Sequence, residues 1–283
     1  MGRSLCIIHA NCQGDSLHRI LASTPAFSRC FSIHKYTNYL EERISSADFA
    51  ACGLLLYQPL SDKWHEAASS ALVARLPLGA QALQIPNMFF KGYWPLWTNK
   101  TFMAYGDVFM EYLAAQTFTP MEILHVCTHA DLPRMYPIDE WLQQSINRER
   151  DKEVNSVVET VDLVQEFWRS EKLFTTVNHP GSRLLLHVAD GVLQALGLGR
   201  VPESVRAAFA AQCHDDFEQP VYPQIGAHFG LTFANASTKY AVFGRHMSFA
   251  EYCQCYLACR REEISDFAAF MHYFSTQCKT RAA

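Results

Sequence analysis

The sequence predicts an α/β fold: a small, mainly parallel sheet joined to a helix-rich majority. Short apolar runs at residues 5–8, 52–57 and 82–85 have the length and polar flanks of buried strands. Segments with helical spacing separate them, and strands that alternate with helices build parallel sheets. Past about residue 100 the helical spacing persists and strand-like runs become rare. The expected organisation is one domain over 1–283, with an α/β part at 1–100 and a mostly helical part at 101–283.

The first element is the most informative. Leu5, Cys6, Ile7 and Ile8 form the apolar run, and Leu17, Ile20 and Leu21 then sit at i, i+3 and i+4, so a helix follows directly. Ala10, Asn11, Cys12, Gln13 and Gly14 make the turn between them, with the cysteine at its crest. A helix start leaves backbone N–H groups unpaired and favours negative charge. A thiolate at Cys12, or an oxyanion beside it, would be stabilised there.

Residues 31–36 predict a second strand and 38–46 a helical or looped connection. The run at 52–57 ends at Gln58-Pro59, and proline stops the strand so that Gln58 stands at its carboxyl end. Residues 61–76 read as one helix capped by Ser61. The strand at 82–85 breaks at Pro86. Ligands of parallel sheets bind outside the carboxyl ends of the strands, which is where Cys12, Gln58 and Asn87 should converge. Residues 89–97 form an aromatic segment, read either as a lid packed on the core or as a binding surface with Tyr93, Trp94 and Trp97 as stacking faces. Lys91 and Lys100 are its candidate phosphate contacts.

Helical stripes follow, first through Phe109, Tyr112, Leu113 and Gln116 and then over 121–127. A long periodic region at 138–172 is one helix or two, interrupted by the charged run 147–153, which reads as a solvated face. Asn178-His179-Pro180 precedes a helix with Leu184, Leu185, Val188, Val192, Leu193 and Leu196 on one face and Gly197 at its end. Pro180 suits the first turn of that helix. Residues 202–212 read as helix and 213–246 as irregular. Ser248 and Glu251 form a capping box that opens a helix to about Cys259, and a last helix lies near 263–277.

With 49% hydrophobic and 18% charged residues the chain is globular rather than disordered. A net charge of −4 argues against a general nucleic-acid binder, which needs a basic face. No apolar run approaches the roughly 20 residues of a membrane span, and the expected location is cytoplasmic. The ten cysteines are dispersed and read as buried small hydrophobes. Cys253, Cys255 and Cys259 lack a ligand-pair spacing for zinc, so no metal is expected.

Asn11-Cys12-Gln13-Gly14, Gln58-Pro59, Pro86-Asn87 with Gly92-Tyr93-Trp94-Pro95, and Asn178-His179-Pro180, in that order, resemble the blocks of the WcbI family of capsule-polysaccharide biosynthesis proteins. The resemblance spans residues 4 to about 200. It implies an acetyltransferase that binds coenzyme A, with acetyl-CoA as co-substrate and a carbohydrate hydroxyl as acceptor. Cys12 and His179 are then the candidate catalytic pair, and Asn11, Gln13, Gln58, Asn87 and Asn178 the oxyanion- or substrate-orienting residues. Lys91, Tyr93, Trp94 and Lys100 are the cofactor-binding candidates. Transfer through a Cys12 thioester and direct transfer with His179 as base are equally compatible with these residues. Asp15 and Asp107 are candidates for a third catalytic member. Gly14-Asp15-Ser16-Leu17 also resembles the GDSL (SGNH) esterases, although Ser16 falls inside the first helical turn. Hence the alternatives: an esterase or deacetylase using the same pocket, or a non-catalytic protein that binds CoA, a nucleotide or a glycan.

Overall fold

The computed structural model describes residues 2–212 and 216–272. The chain opens with β1 (Ser4–Ala10), α1 (Gln13–Ser23), α2 (Pro25–Cys30), β2 (Phe31–Thr37), α3 (Ser46–Ala51), β3 (Cys52–Tyr57), α4 (Ser69–Ala74) and β4 (Gln81–Gln84). A helical stretch follows, α5 (Val108–Ala114), α6 (Pro120–His129), α7 (Leu132–Met135), α8 (Ile138–Glu153) and α9 (Val161–Phe167). The rest is β5 (Phe174–Thr176), β6 (His179–Pro180), α10 (Ser182–Ala195), α11 (Glu203–Ala210), α12 (Pro223–Phe229), β7 (Tyr240–Val242), β8 (Arg245–Met247) and α13 (Phe249–Arg261). The fold is α/β with helix in the majority, as the alternation of runs predicts.

The described residues group into two compact units interleaved along the chain: 2–89, 147–165 and 180–212 in the first, 90–146, 166–179 and 216–272 in the second. The first unit holds the parallel sheet, in the order β2-β1-β3-β4. β1 is central, and its residues from Leu5 to Ala10 are all buried, which is why they read as an unbroken apolar run. Ile8 and Ala10 face α1 closely enough that a Cβ on Gly14 would lie 2.9 Å from the Ala10 Cβ. Leu5 and Ile7 face the other way and join Phe49, Leu55 and Leu72 in one apolar cluster. With β2 and β3 on either side of β1, the chain reverses its winding there, the crevice where parallel sheets take ligands.

The second unit is built on aromatic packing. Tyr93 lies among Phe90, Trp94, Trp168 and Phe233, with ring centroids 5.1–6.3 Å apart. α6 and α13 both start with complete capping boxes, Thr119 with Glu122 and Ser248 with Glu251, the latter as the sequence predicts.

Several elements differ from the sequence reading. Residues 61–76 are two pieces, because His65 takes φ 50° and ψ −115°; a 3₁₀ turn at Asp62–Ala67 precedes α4, and the Ser61 side chain caps nothing. The 138–172 region is two helices, broken after Glu153 by a loop in which Val154 is exposed. On α5 the buried stripe is Phe109, Met110 and Leu113, while Tyr112 points to solvent. Pro180 lies in β6, before the helix, which opens at Ser182. Within 213–246 the structure forms α12 and an antiparallel β7–β8 hairpin turned on Phe243 and Gly244, both at positive φ. Of the helix expected near 263–277, residues 267–272 are helical and the remainder lies outside the described residues, as do Cys213 and Cys278. Among the described residues no helix is long and apolar enough to cross a membrane.

Candidate functional site

β1 ends at Ala10 and α1 begins three residues later, with Cys12 as the residue that caps it. The helix starts two residues earlier than its apolar spacing predicts, and the turn is correspondingly tight. Asn11 holds it together. Its Oδ1 accepts from the Gln13 N–H at 2.9 Å, its carbonyl accepts from the Gly14 N–H at 2.9 Å, and its own N–H donates to Gln58 Oε1 at 2.8 Å. Cys12 is half-buried at the positive end of an 11-residue helix. Cys30, the exposed cysteine among those described, ends α2. Burial pushes the thiols of Cys6, Cys52, Cys255 and Cys259 up, that of Cys259 to about 12. Cys253 is pushed up first by its hydrogen bond with Cys127 and then by burial. Among the described residues no group of three His, Cys, Asp or Glu is arranged to hold a metal.

Gln13, Gln58 and Asn87 converge on this turn within the first unit. Gln58 is 1% exposed, and its Nε2 donates to Gln13 Oε1 at 3.1 Å and to the Pro86 carbonyl at 3.2 Å. Gln13 pairs through both side-chain polar atoms with the backbone of Met88, at 2.8 and 3.1 Å. These bonds satisfy amides that would otherwise be costly to bury. They also correct the roles expected of Gln13 and Gln58: both are spent on backbone and on each other, so they set the loop rather than touch substrate. The Gln13 N–H, an oxyanion donor by expectation, is taken by Asn11. Asn87 is different. It is half-buried, and its Oδ1 accepts from Asn11 Nδ2 at 3.2 Å, which fixes the amide so that Nδ2 has no acceptor among the described residues.

Two residues behind Asn87 carried no signal in the sequence. Lys152 Nζ donates to the Asn87 carbonyl at 2.8 Å and pairs with Glu149 at 2.6 Å, while Glu149 accepts from the Phe89 N–H at 3.2 Å. The charged run that reads as a solvated face thus turns its Glu149 and Glu153 inward, at 12% and 5% exposure. Burial raises Glu149 to about 7 against the pull of Lys152. A run of alternating charge gives no clue to which residue faces in.

Apart from Asp15, the other candidates belong to the second unit. The His179 ring is oriented by Thr176, whose Oγ1 lies 2.7 Å from Nδ1. The same Oγ1 lies 3.1 Å from Asn178 Oδ1, so one hydroxyl links the Asn178 amide and the His179 ring. Asn178 therefore acts through Thr176, a residue that no sequence block marks. Tyr93 and Trp94 are corrected. They are 0% and 3% exposed; Tyr93 OH donates to the carbonyls of Trp168 and Glu171, and Trp94 Nε1 to those of Gln219 and Pro220. Both are core, with no ring face left for a ligand. Lys91 is half-buried, with Nζ 6.0 Å from the Trp97 ring centre, and Lys100 is exposed. Asp107 caps α5 and accepts from Tyr222 OH at 2.8 Å, and burial raises it to about 6; Asp15 is exposed and pairs with Lys35. Among the described residues neither Asp shares a hydrogen bond with a histidine, so neither orients a base.

A family model described as "Polysaccharide biosynthesis enzyme WcbI" matches residues 5–201. A solved structure of WcbI, described as a novel polysaccharide biosynthesis enzyme in its native form without a disulfide bond between coenzyme A and one of its cysteines, superimposes with a TM-score of 0.70 at 20% identity. That likeness covers 94% of each chain. No curated protein matches the sequence.

Proposed function

The chain belongs to the WcbI family of polysaccharide biosynthesis enzymes, and from that premise we propose that it transfers an acetyl group from acetyl-CoA to a sugar hydroxyl, with Cys12 as the covalent acceptor. One observation carries the reading: a half-buried cysteine caps α1 at the switch point of the sheet, in a turn held by buried amides. A loop locked this way holds a nucleophile in one place. The relative's description, which pairs coenzyme A with a cysteine, adds support from outside this chain.

Acetyl-CoA supplies an activated acyl group. Cys12 gives its proton to the base, its Sγ bonds to the acetyl carbon, and the departing thiol takes the proton back. The acceptor hydroxyl then loses its proton to the base, its oxygen bonds to the acetyl carbon, and Sγ leaves and is reprotonated. His179, its ring placed by Thr176, is the base in this reading. Asn87 Nδ2 steadies the oxyanion of each step. Lys91 and Lys100 remain the candidates for phosphate contact. In this reading the chemistry takes place in the cytoplasm, on precursors of capsule or other surface polysaccharide.

The test is mass spectrometry of the chain incubated with acetyl-CoA alone. The wild type should gain one acetyl group on the peptide holding Cys12, and Cys12→Ser should gain none while keeping its CoA-induced thermal shift. At ligand a hundredfold above Kd that shift corresponds to about 2.7 kcal/mol. His179→Asn should keep the shift and slow transfer by roughly 10²–10⁴-fold. Full transfer by Cys12→Ser would leave direct attack by the sugar hydroxyl, and no shift with millimolar CoA would remove the acetyltransferase reading.

A further inference from the structure

The first unit contains a second concavity that the acyl-transfer reading leaves unused. A cavity of about 560 Å³ opens at the carboxyl end of the sheet, on the face opposite α1. Its volume lies within the range of small-ligand sites. It is lined by His9 from β1, by Glu41, Glu42 and Arg43 from the segment after β2, and by Trp64 and Glu66 from the turn before α4.

His9 is the informative member. It follows Leu5 and Ile7 on the same face of β1, where the strand pattern calls for another apolar residue. It is 1% exposed, yet its Nδ1 has no hydrogen-bond partner. Buried polar atoms are nearly always satisfied, so an unsatisfied one at a cavity is a place for a water or a ligand atom. Burial lowers His9 to about 4 against the opposing charge of Glu42, so the ring is neutral at neutral pH and suits an uncharged hydroxyl. Its carbonyl accepts from the Gln58 N–H at 3.0 Å, so one strand end serves both this cavity and the Cys12 turn.

The rest of the lining narrows the chemistry. Glutamates outnumber arginines three to two, which disfavours a phosphate or a nucleotide. Arg75 is already stacked 3.9 Å over the Phe49 ring. Trp64 is half-buried and stands beside His65, whose left-handed backbone breaks the helix at this point. An aromatic face with carboxylates and a neutral imidazole around it suits a ring that is apolar on its faces and rich in hydroxyls at its edge. We propose that this cavity is the acceptor subsite, holding one pyranose ring of the glycan through stacking on Trp64 and a hydroxyl on His9.

The assignment rests on the sugar-acceptor reading above, but its test does not use acetyl transfer. Saturation-transfer NMR on the full chain, with methyl pyranosides of the common hexoses and N-acetylhexosamines and their disaccharides, reads contact with the sugar ring directly. At least one probe should bind the wild type, and Trp64→Ala should weaken it about tenfold, a loss of about 1.4 kcal/mol. Trp64→Phe should restore most of the affinity, because a ring face remains. The CoA-induced thermal shift should be the same in all three proteins, which also shows that the variants fold. No binding by any probe, or equal binding with and without Trp64, would overturn the assignment. So would loss of the CoA shift in Trp64→Ala, which would make the cavity part of the cofactor groove. A wild type that binds sugar without any response to CoA would keep the subsite and sink the acetyltransferase instead.

Discussion

The carboxyl edge of the parallel sheet and the aromatic segment after β4 are both dense with residues of the family blocks, yet they bury opposite things. At the sheet edge, Gln13 and Gln58 bury amides that bond to backbone and to each other. In the aromatic segment, Tyr93 and Trp94 bury rings, and their polar tips reach carbonyls of the same unit. Apolar burial stabilises wherever it occurs, so a packed aromatic cluster says little about ligands. Buried amides cost free energy unless every atom is paired, so a strand end made of them has been shaped around something. The difference teaches that a family block marks residues that hold a site as readily as residues that touch its ligand.

The largest effect expected from that contrast is at Gln58. Gln58→Leu keeps the volume and removes the amide, stranding the Asn11 N–H and the Pro86 carbonyl and taking one donor from Gln13 Oε1, which keeps the Met88 N–H. Each stranded group costs about 1–3 kcal/mol, so denaturant melts should show a loss of about 3–5 kcal/mol, with the CoA response lost as well. A loss below about 1 kcal/mol would mean that water satisfies the turn and that the comparison fails on its first side.

Tyr93→Phe sharpens the other side. It removes one hydroxyl that serves the Trp168 and Glu171 carbonyls and accepts from the Leu173 N–H. Stability should fall by about 1–3 kcal/mol while CoA-induced stabilisation is unchanged. Unchanged stability with a lost CoA response would restore Tyr93 as a ligand contact.

Much of the first unit was legible because local pattern and tertiary role agree there. β1 is buried on both faces and so reads as a continuous apolar run; α1 packs one face and so reads at i, i+3, i+4. The expectation that Cys12, Gln58 and Asn87 converge followed from strand direction alone, and Gln58 and Asn87 meet the Cys12 turn at Asn11. What stayed hidden has no period to show. β7 and β8 are three residues each, too short for alternation, and their turn puts a phenylalanine at positive φ before Gly244. The break at His65 is a single dihedral inside an alanine-rich, helix-like stretch. Glu149 and Lys152 reach Phe89 and Asn87 from a distant segment, and Thr176, although only three residues before His179, meets it through a side-chain contact; a lone sequence carries no trace of which polar residue meets which. The split of aromatic residues into core and ligand surface is likewise decided by packing partners, here Trp168 and Phe233, far along the chain.

The smallest expected effect lies behind the sheet edge, in the pH dependence of Glu149. Unfolded, a glutamate ionises near 4.3; in the folded chain burial raises Glu149 to about 7. Between those values the folded state keeps a proton that the unfolded state has released, so stability falls as pH rises from about 4.5 to about 7 and is level above. The pairing with Lys152 limits the fall to about 1–3 kcal/mol of the pH-dependent total. His9 works against it, because a histidine lowered to about 4 loses its contribution as pH falls from about 6.5 toward 4. The two are separated by melting the wild type and Glu149→Gln side by side from pH 4.5 to 8. The variant should gain on the wild type as pH rises, since its side chain can still accept from the Phe89 N–H and has no proton to lose. Asp107→Asn in the second unit should behave with the same sign over a shorter window, because burial raises Asp107 only to about 6. A difference between wild type and Glu149→Gln that is flat across this range would mean that Glu149 stays ionised beside Lys152. The brace under Asn87 would then be an ion pair at every pH, and the sheet edge would owe its order to charge as well as to amides.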